Sequence, residues 1–183
     1  MGKLVYASPM SLDGYIRDDD YDWSPPNDEA LAFITDVLRP IGTYLYGRKM
    51  YETMAVWETP DVIPGLTQAG VDFAQVWQAA NKIVYSKSLE TVSTAKTRIE
   101  REFDPQTIRE LKGDVSIGGP NLAAHAIWAG LVEEYQLFVV PMILGGNKPV
   151  LPSDLRVKLE LLDERRFGDG WLYLRYRTRR DES

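Results

Sequence analysis

The 183-residue chain contains no cysteine and one histidine, His125. The first absence excludes disulfides, thiolate chemistry and a cysteine-ligated metal. The second excludes a histidine-rich metal site and leaves one residue to serve any Ser-His-Asp triad. His125 lies in the apolar stretch Leu122–Trp128 with no nucleophile motif nearby, so it reads as a packed or rim residue. No apolar run approaches the ~20 residues needed to cross a bilayer. Met1–Ala7 is too short an apolar segment to be a signal peptide, and a cytoplasmic protein is expected. Positive charge is scarce too. The 21 Lys and Arg face 27 Asp and Glu, a net charge of −6. A general nucleic-acid surface is therefore not expected, although a small anion needs only a local basic patch.

With 44 % hydrophobic residues, the chain can bury one sizeable core and is read as one domain, 1–183. Short apolar runs at Leu4–Ala7, Thr43–Tyr46, Lys82–Tyr85, Thr97–Ile99, Val115–Ile117 and Gln136–Val140 read as strands. Between them lie helix signals. Ser24 can cap a helix that Pro25, Asp28 and Glu29 open and Pro40 closes. Further helices are expected over Lys49–Met54, Val71–Ala80, Asp104–Leu111 and Leu122–Ala129. Pro9–Ile16 and Thr59–Gly70 read as loops. This alternation predicts an α/β fold: a mostly parallel sheet with helices on both faces. Val157–Arg166 and Trp171–Arg179, joined by Gly168-Asp-Gly170, add an antiparallel hairpin at one edge. Trp171 is expected on that hairpin's outer face, a hint of a dimer interface, whereas Trp57, Trp77 and Trp128 are expected in the core or in a pocket wall.

Three strand ends look suited to a ligand. One runs into Gly47-Arg48-Lys49, one into Ser86-Lys87 and one into Gly118-Gly119-Pro120. In a parallel sheet these ends share one edge, where crevices form. Helix N-termini after Gly47 and Gly119 present N–H groups and a positive dipole end, and Arg48, Lys49 and Lys87 add charge. The set suits a ligand with several phosphates, such as a dinucleotide. The partial P-loop likeness of Gly42–Lys49 is rejected: the Lys-Ser/Thr pair is missing and residues 43–46 read as strand. Asp13, Asp28 and Glu29 are the candidate acids; Asp28, near Trp23 in a helix that should flank the crevice, reads either as a proton donor or as an ordinary helix-start charge. Asp13, before Gly14, reads as a turn residue.

The ordered motifs Met10-Ser-Leu-Asp-Gly-Tyr-Ile16, Asp22-Trp23, Gly47-Arg-Lys-Met-Tyr-Glu52, Ile83-Val-Tyr-Ser86, Ile117-Gly-Gly119 and Val140-Pro-Met-Ile-Leu-Gly-Gly146 resemble the dihydrofolate reductase superfamily. They look closest to stand-alone proteins similar to the reductase domain of the bifunctional riboflavin-biosynthesis enzyme. That resemblance implies a three-layer dihydrofolate-reductase-like fold, NADPH as cofactor, a small-molecule substrate and a homodimer. It further implies that Gly47, Arg48, Lys49, Gly118, Gly119, Asn121 and Leu122 embrace the cofactor phosphates. Ser86 and Lys87 would hold the adenosine 2′-phosphate, Ala7 and Ile16 would border the nicotinamide, and Trp23 and Asp28 would meet the substrate. Three departures stand out. Met50 replaces a common threonine, Asn147 replaces a third glycine, and Ala80-Asn81-Lys82 offers no arginine for a folate tail, which argues against dihydrofolate. The expected activity is hydride transfer to a pterin-, pyrimidine- or related heterocycle. The alternatives are 5-amino-6-(5-phosphoribosylamino)uracil reduction, with Lys148 and Arg156 as added cations, and a non-catalytic nucleotide- or heterocycle-binding protein. A phosphate-free structural domain is the third.

Overall fold

The computed structural model describes residues 2–17 and 25–179. Eight strands form one sheet in the order β4-β3-β2-β5-β1-β6-β8-β7. They are β1 (Leu4–Ser11), β2 (Thr43–Gly47), β3 (Asn81–Tyr85), β4 (Thr97–Glu100), β5 (Val115–Gly118), β6 (Glu134–Val140), β7 (Leu159–Arg166) and β8 (Leu172–Thr178). The first six are mutually parallel, and β8 and β7 continue the sheet antiparallel. The alternation read from the sequence therefore gives the expected α/β architecture. β1 is longer than expected, because Ser8 to Ser11 stay paired with Leu137 to Val140 of β6.

Among the described residues, five α-helices complete the layers: α1 (Asp28–Leu38), α2 (Arg48–Met54), α3 (Gln68–Ala79), α4 (Pro105–Glu110) and α5 (Pro120–Trp128). On one face α4 and α5 bury Ile108, Leu122, Ala126 and Ile127 against Leu4, Tyr6, Leu45 and Ile117. On the other, Phe73 and Trp77 of α3 pack on Tyr44, Tyr46 and Val84, with Leu31 and Leu38 of α1 beside them. Fully burying such apolar side chains contributes ~1.5–3 kcal/mol each, so the helix layers stabilise the sheet they cover. The segment expected to be a loop over Thr59–Gly70 is partly ordered. A 3-10 turn spans Pro60–Val62, and α3 begins at Gln68, where the Thr67 hydroxyl accepts from the Gly70 N–H.

Two readings are corrected here. Trp171 is not on the outer face. It is only 5 % exposed and packs with Phe138, Phe167 and Tyr173 beneath Phe33 of α1. Alternation along β8 put it opposite Leu172 correctly, but the helix covers the face on which Trp171 lies. Trp128, at the end of α5, is 59 % exposed and is no part of a core or pocket wall. The expected helix cap is also displaced. Ser24 lies outside the described residues, and Asn27 caps α1, its side-chain oxygen accepting from the Ala30 N–H at 2.9 Å.

At the opposite end of the strands, Glu134 is buried between Lys3 and Arg175. Burial pushes its carboxyl up, but hydrogen bonds from Arg175 and Lys3 outweigh that and hold it below the usual range.

Candidate functional site

The sheet opens where the candidate residues gather. β1 and β5 pair only as far as Tyr6 and Ile117, whereas β2 stays with β5 one step further, to Tyr46 and Gly118. Ala7 therefore faces no partner on the β5 side, and a notch forms between Ala7 and the Gly118-Gly119 turn. Gly119 takes φ +89°, a left-handed conformation that a side chain would strain. It precedes α5 as the N-cap, with no side chain to satisfy the first N–H groups. Pro120 lacks an N–H, so the free donors of that turn belong to Asn121 and Leu122. Asn121 is exposed, and Leu122 is buried with its side chain in the core.

Gly47 ends β2 and is the N-cap of α2. A Cβ built there meets nothing within 4 Å, so the backbone is open to a close approach. The Met50 side chain lies against the double glycine, its Cε 3.4 Å and its Cβ 3.7 Å from Cβ positions built on Gly118 and Gly119. The methionine that replaces the family's hydroxyl thus fills space beside the turn. Lys49 is exposed on the first turn of α2.

Arg48 reaches across to the loop after β3. Its Nε donates to Glu52 at 2.7 Å and its Nη1 to the Ser88 hydroxyl at 3.0 Å. A guanidinium carries five N–H donors, so three remain for an anion. Ser86 is buried, and its hydroxyl oxygen accepts from the N–H groups of Ser88 (3.3 Å) and Leu89 (3.0 Å), which shapes the turn. Lys87 stands exposed at its tip. From the far side, Arg101 Nη1 donates to the Ser86 and Leu89 carbonyls at 2.9 and 2.6 Å and staples the loop.

Two of these partners escaped the sequence reading. Ser88 was legible as the second hydroxyl of a Ser-x-Ser turn. Arg101 was not, because its place depends on β4 pairing with β3 through Tyr85 and Glu100. The structure thus gathers Ala7, Gly47, Arg48, Lys49, Ser86, Lys87, Gly118, Gly119, Asn121 and Leu122 along one sheet edge. Ile16 lies near its β1 end, with its N–H donating to the Lys148 carbonyl at 2.9 Å and its side chain packed on the α5-side core. Trp23 lies outside the described residues.

Asp28 comes from the helix layer rather than from a strand end. It is exposed at the start of α1, and its Oδ1 accepts from the Thr67 hydroxyl at 2.8 Å. The neighbouring Glu29 accepts from Arg165 and from the Gly168 N–H, each at 3.2 Å. The two acids thus tie the helix start to α3 on one side and to the β7–β8 turn on the other. The two cations proposed for a phosphorylated substrate separate. Lys148 lies beside Ile16. Arg156 lines a basic cavity with Lys158 and Arg179 at the opposite end of the sheet.

Comparison with known proteins bears on the fold and the family. An uncharacterised Bacillus subtilis (strain 168) protein, YyaP, is 27 % identical over 192 residues, covering 95 % of this chain and 94 % of that protein. A pyrimidine reductase-like protein from Corynebacterium diphtheriae NCTC shares the fold at a TM-score of 0.67 and 15 % identity, over 98 % of this chain and 93 % of that one. Dihydrofolate reductase from Enterococcus faecalis, solved with NADP(H), shares it at 0.63 and 16 %, over 97 % and 96 %. The RibD C-terminal domain family matches residues 2–173. Since that match runs from the strand before the notch into the first residues of β8, the chain belongs to the RibD C-terminal domain family, a reductase family on the dihydrofolate-reductase-like fold.

Proposed function

We propose that the protein is a cytoplasmic NADPH-dependent reductase that delivers hydride to a pterin-, pyrimidine- or related heterocycle. The observation that carries the reading is the edge itself. A notch floored by Ala7 opens beside two side-chain-free turns, and the Arg48–Ser88 pair stands one loop away. These residues fit a dinucleotide. Gly47 and Gly118-Gly119 let backbone N–H groups approach a pyrophosphate. Arg48, Lys87 and the Ser86 and Ser88 hydroxyls suit a 2′-phosphate. The notch between β1 and β5 is a slot in which a flat ring can lie against backbone. Bound NADPH would supply the hydride, and the chain's own task is to hold ring and substrate at reacting distance and exclude water.

Asp28 is the proton source in this reading, directly or through a water held by its free carboxylate oxygen. Of the two cations that a phosphorylated aminouracil would use, Lys148 alone stays at this end, so an unphosphorylated heterocycle is the first choice. A second copy of the chain is the expected partner, docked on the leucine-lined face of β7 and β8.

The test is a titration with NADPH and NADH, read by tryptophan quenching, on wild type, Arg48→Ala and Asp28→Asn. Saturable binding that favours NADPH is expected. Losing one charge-assisted phosphate contact in Arg48→Ala should cost NADPH about tenfold and NADH little. No binding at millimolar concentration sinks the reading. Asp28→Asn should bind NADPH as wild type does while oxidising it at least tenfold more slowly with whichever pterin or aminouracil proves active. Unchanged turnover removes Asp28 from the mechanism.

A further inference from the structure

Asp13 has no role in the reading above, yet both oxygens of its carboxylate are engaged. Its Oδ1 accepts from the Ser11 hydroxyl at 2.6 Å and from the Leu144 N–H at 3.0 Å, and its Oδ2 accepts from the Gly145 N–H at 2.8 Å. An exposed carboxylate ordinarily turns to water. Here three donors from two loops meet it in fixed positions. The Ser11 bond, followed by the Leu144 and Gly145 bonds, pulls its carboxyl down to about 2, so it stays ionised at any working pH.

The two loops belong to the ends of adjacent strands. Ser11 ends β1 and residues 12–16 follow it, and residues 141–150 follow β6. Backbone bonds zip them together further along. The Leu12 N–H donates to the Met142 carbonyl at 2.7 Å, Ile16 to Lys148 at 2.9 Å and Val150 to Gly14 at 2.9 Å. Tyr15 and Pro149 form an antiparallel bridge between them. The turn at Leu144-Gly145-Gly146 is joined to residues 11–16 through the Asp13 side chain. Gly145, at φ +61°, aims its N–H at that carboxylate.

We propose that Asp13 is a positioning residue for the nicotinamide end of the site: its carboxylate clasps Leu144 and Gly145, fixing the strap that carries Lys148 and so the backbone of Ile16. The inference rests on the dinucleotide reading above, because that reading gives Ile16 its role. It assigns to the Asp-Gly turn a function that local sequence does not show. The turn is the near half of a clasp whose other half lies 131 and 132 residues away. The chemistry requires an acceptor on both oxygens. A carboxylate has that, whereas an amide would put an NH2 against a backbone N–H.

The test uses Asp13→Asn and Asp13→Glu in the full chain, with two readouts. Amide hydrogen exchange follows Leu144 and Gly145 without any ligand. Titration compares NADPH with adenosine 2′,5′-bisphosphate, which carries the adenosine end and no nicotinamide. In Asp13→Asn, exchange at Leu144 and Gly145 should rise about tenfold or more, as a fixed hydrogen bond becomes an open one. NADPH affinity should fall about tenfold, and affinity for the bisphosphate should not change. Asp13→Glu keeps the charge with one methylene too many, should shift both readouts the same way by less, and serves alone if the asparagine variant does not fold.

Unchanged exchange at Leu144 and Gly145 overturns the clasp and leaves the dinucleotide reading standing. Equal losses for both ligands overturn the positioning role, since that pattern means general loosening. A wild type that binds neither ligand overturns the dinucleotide reading and the positioning role with it.

Discussion

Gly47 and Gly119 are glycines for different reasons, and a single methyl group separates them. Gly119 sits at φ +89°, where a Cβ strains the backbone whatever space surrounds it. Gly119→Ala should cost about 1–2 kcal/mol, seen as a fall of several degrees in thermal unfolding. Gly47 has an ordinary φ of −76° and open space where a Cβ would go. Gly47→Ala should therefore unfold within about a degree of wild type, since nothing in the free protein meets the new methyl. If a pyrophosphate passes over Gly47, that methyl occupies its path and NADPH affinity should fall by tenfold or more. A Gly47→Ala protein that binds NADPH as wild type does takes Gly47 out of the cofactor site. Melting and titration of the two variants together thus distinguish a glycine required by the fold from one required by a ligand.

At the scale of elements, α1 is the piece whose placement matters most, because it packs on both the β2–β3 cluster and the β6–β8 cluster of one sheet face. Besides the Asp28–Thr67 and Glu29–Arg165 bonds, three further hydrogen bonds hold its start. Asn27 accepts from Ala30 as the cap, the Asn27 N–H donates to Asp169 at 2.9 Å, and Glu29 accepts from Gly168. Asn27→Ala keeps the backbone bond to Asp169 but leaves the first turn uncapped. It should cost about 1 kcal/mol, measurable as a shift of the denaturant midpoint with unchanged slope. A changed slope would mean that α1 frays as a unit rather than losing one bond.

This element also marks how far the sequence could be read. The helix was legible from Pro25 to Pro40, because proline and acidic residues announce a helix start on local grounds. Its cap was not, because Ser24 and Asn27 are both good capping residues, and the bond from Asn27 to Asp169 spans 142 residues. The strand ends at Gly47, Ser86 and Gly118 were legible for the same local reason, since glycine and serine punctuate a chain. Their gathering on one edge followed from parallel topology. What stayed hidden needed strand order: the notch that appears because β1 outruns β5, Arg101 behind Ser86, and the burial of Trp171 under a helix distant in sequence.

For the whole molecule, the open question is what meets the outer part of the sheet on the side away from Trp171. Along β8, Leu172, Leu174 and Tyr176 share one face, and the β7 register places Leu159, Leu161, Glu164 and Arg166 on that same face. Leu161 is 46 % and Leu172 39 % exposed, and Leu159 is nearly as open. Isolated exposed leucines are ordinary in a monomer, but a row of them across the edge strand β7 and its neighbour β8 is not. A two-fold axis brings identical patches together, so the partner patch must be self-complementary. Glu164 and Arg166 satisfy that requirement, because opposite charges two residues apart on one strand can pair with their counterparts across the axis while the leucines meet between them. The homodimer proposed above would use this face, and sedimentation equilibrium should then give twice the chain mass at micromolar concentration. Leu161→Asp with Leu172→Asp places charge on the face without touching the buried side that carries Trp171 and Tyr173. That double variant should sediment as a folded monomer with an unchanged circular dichroism spectrum. NADPH binding should persist in it, because no candidate cofactor residue lies on β7 or β8. A wild type that sediments as a monomer, or a double variant that stays dimeric, would move the search for a partner to another surface.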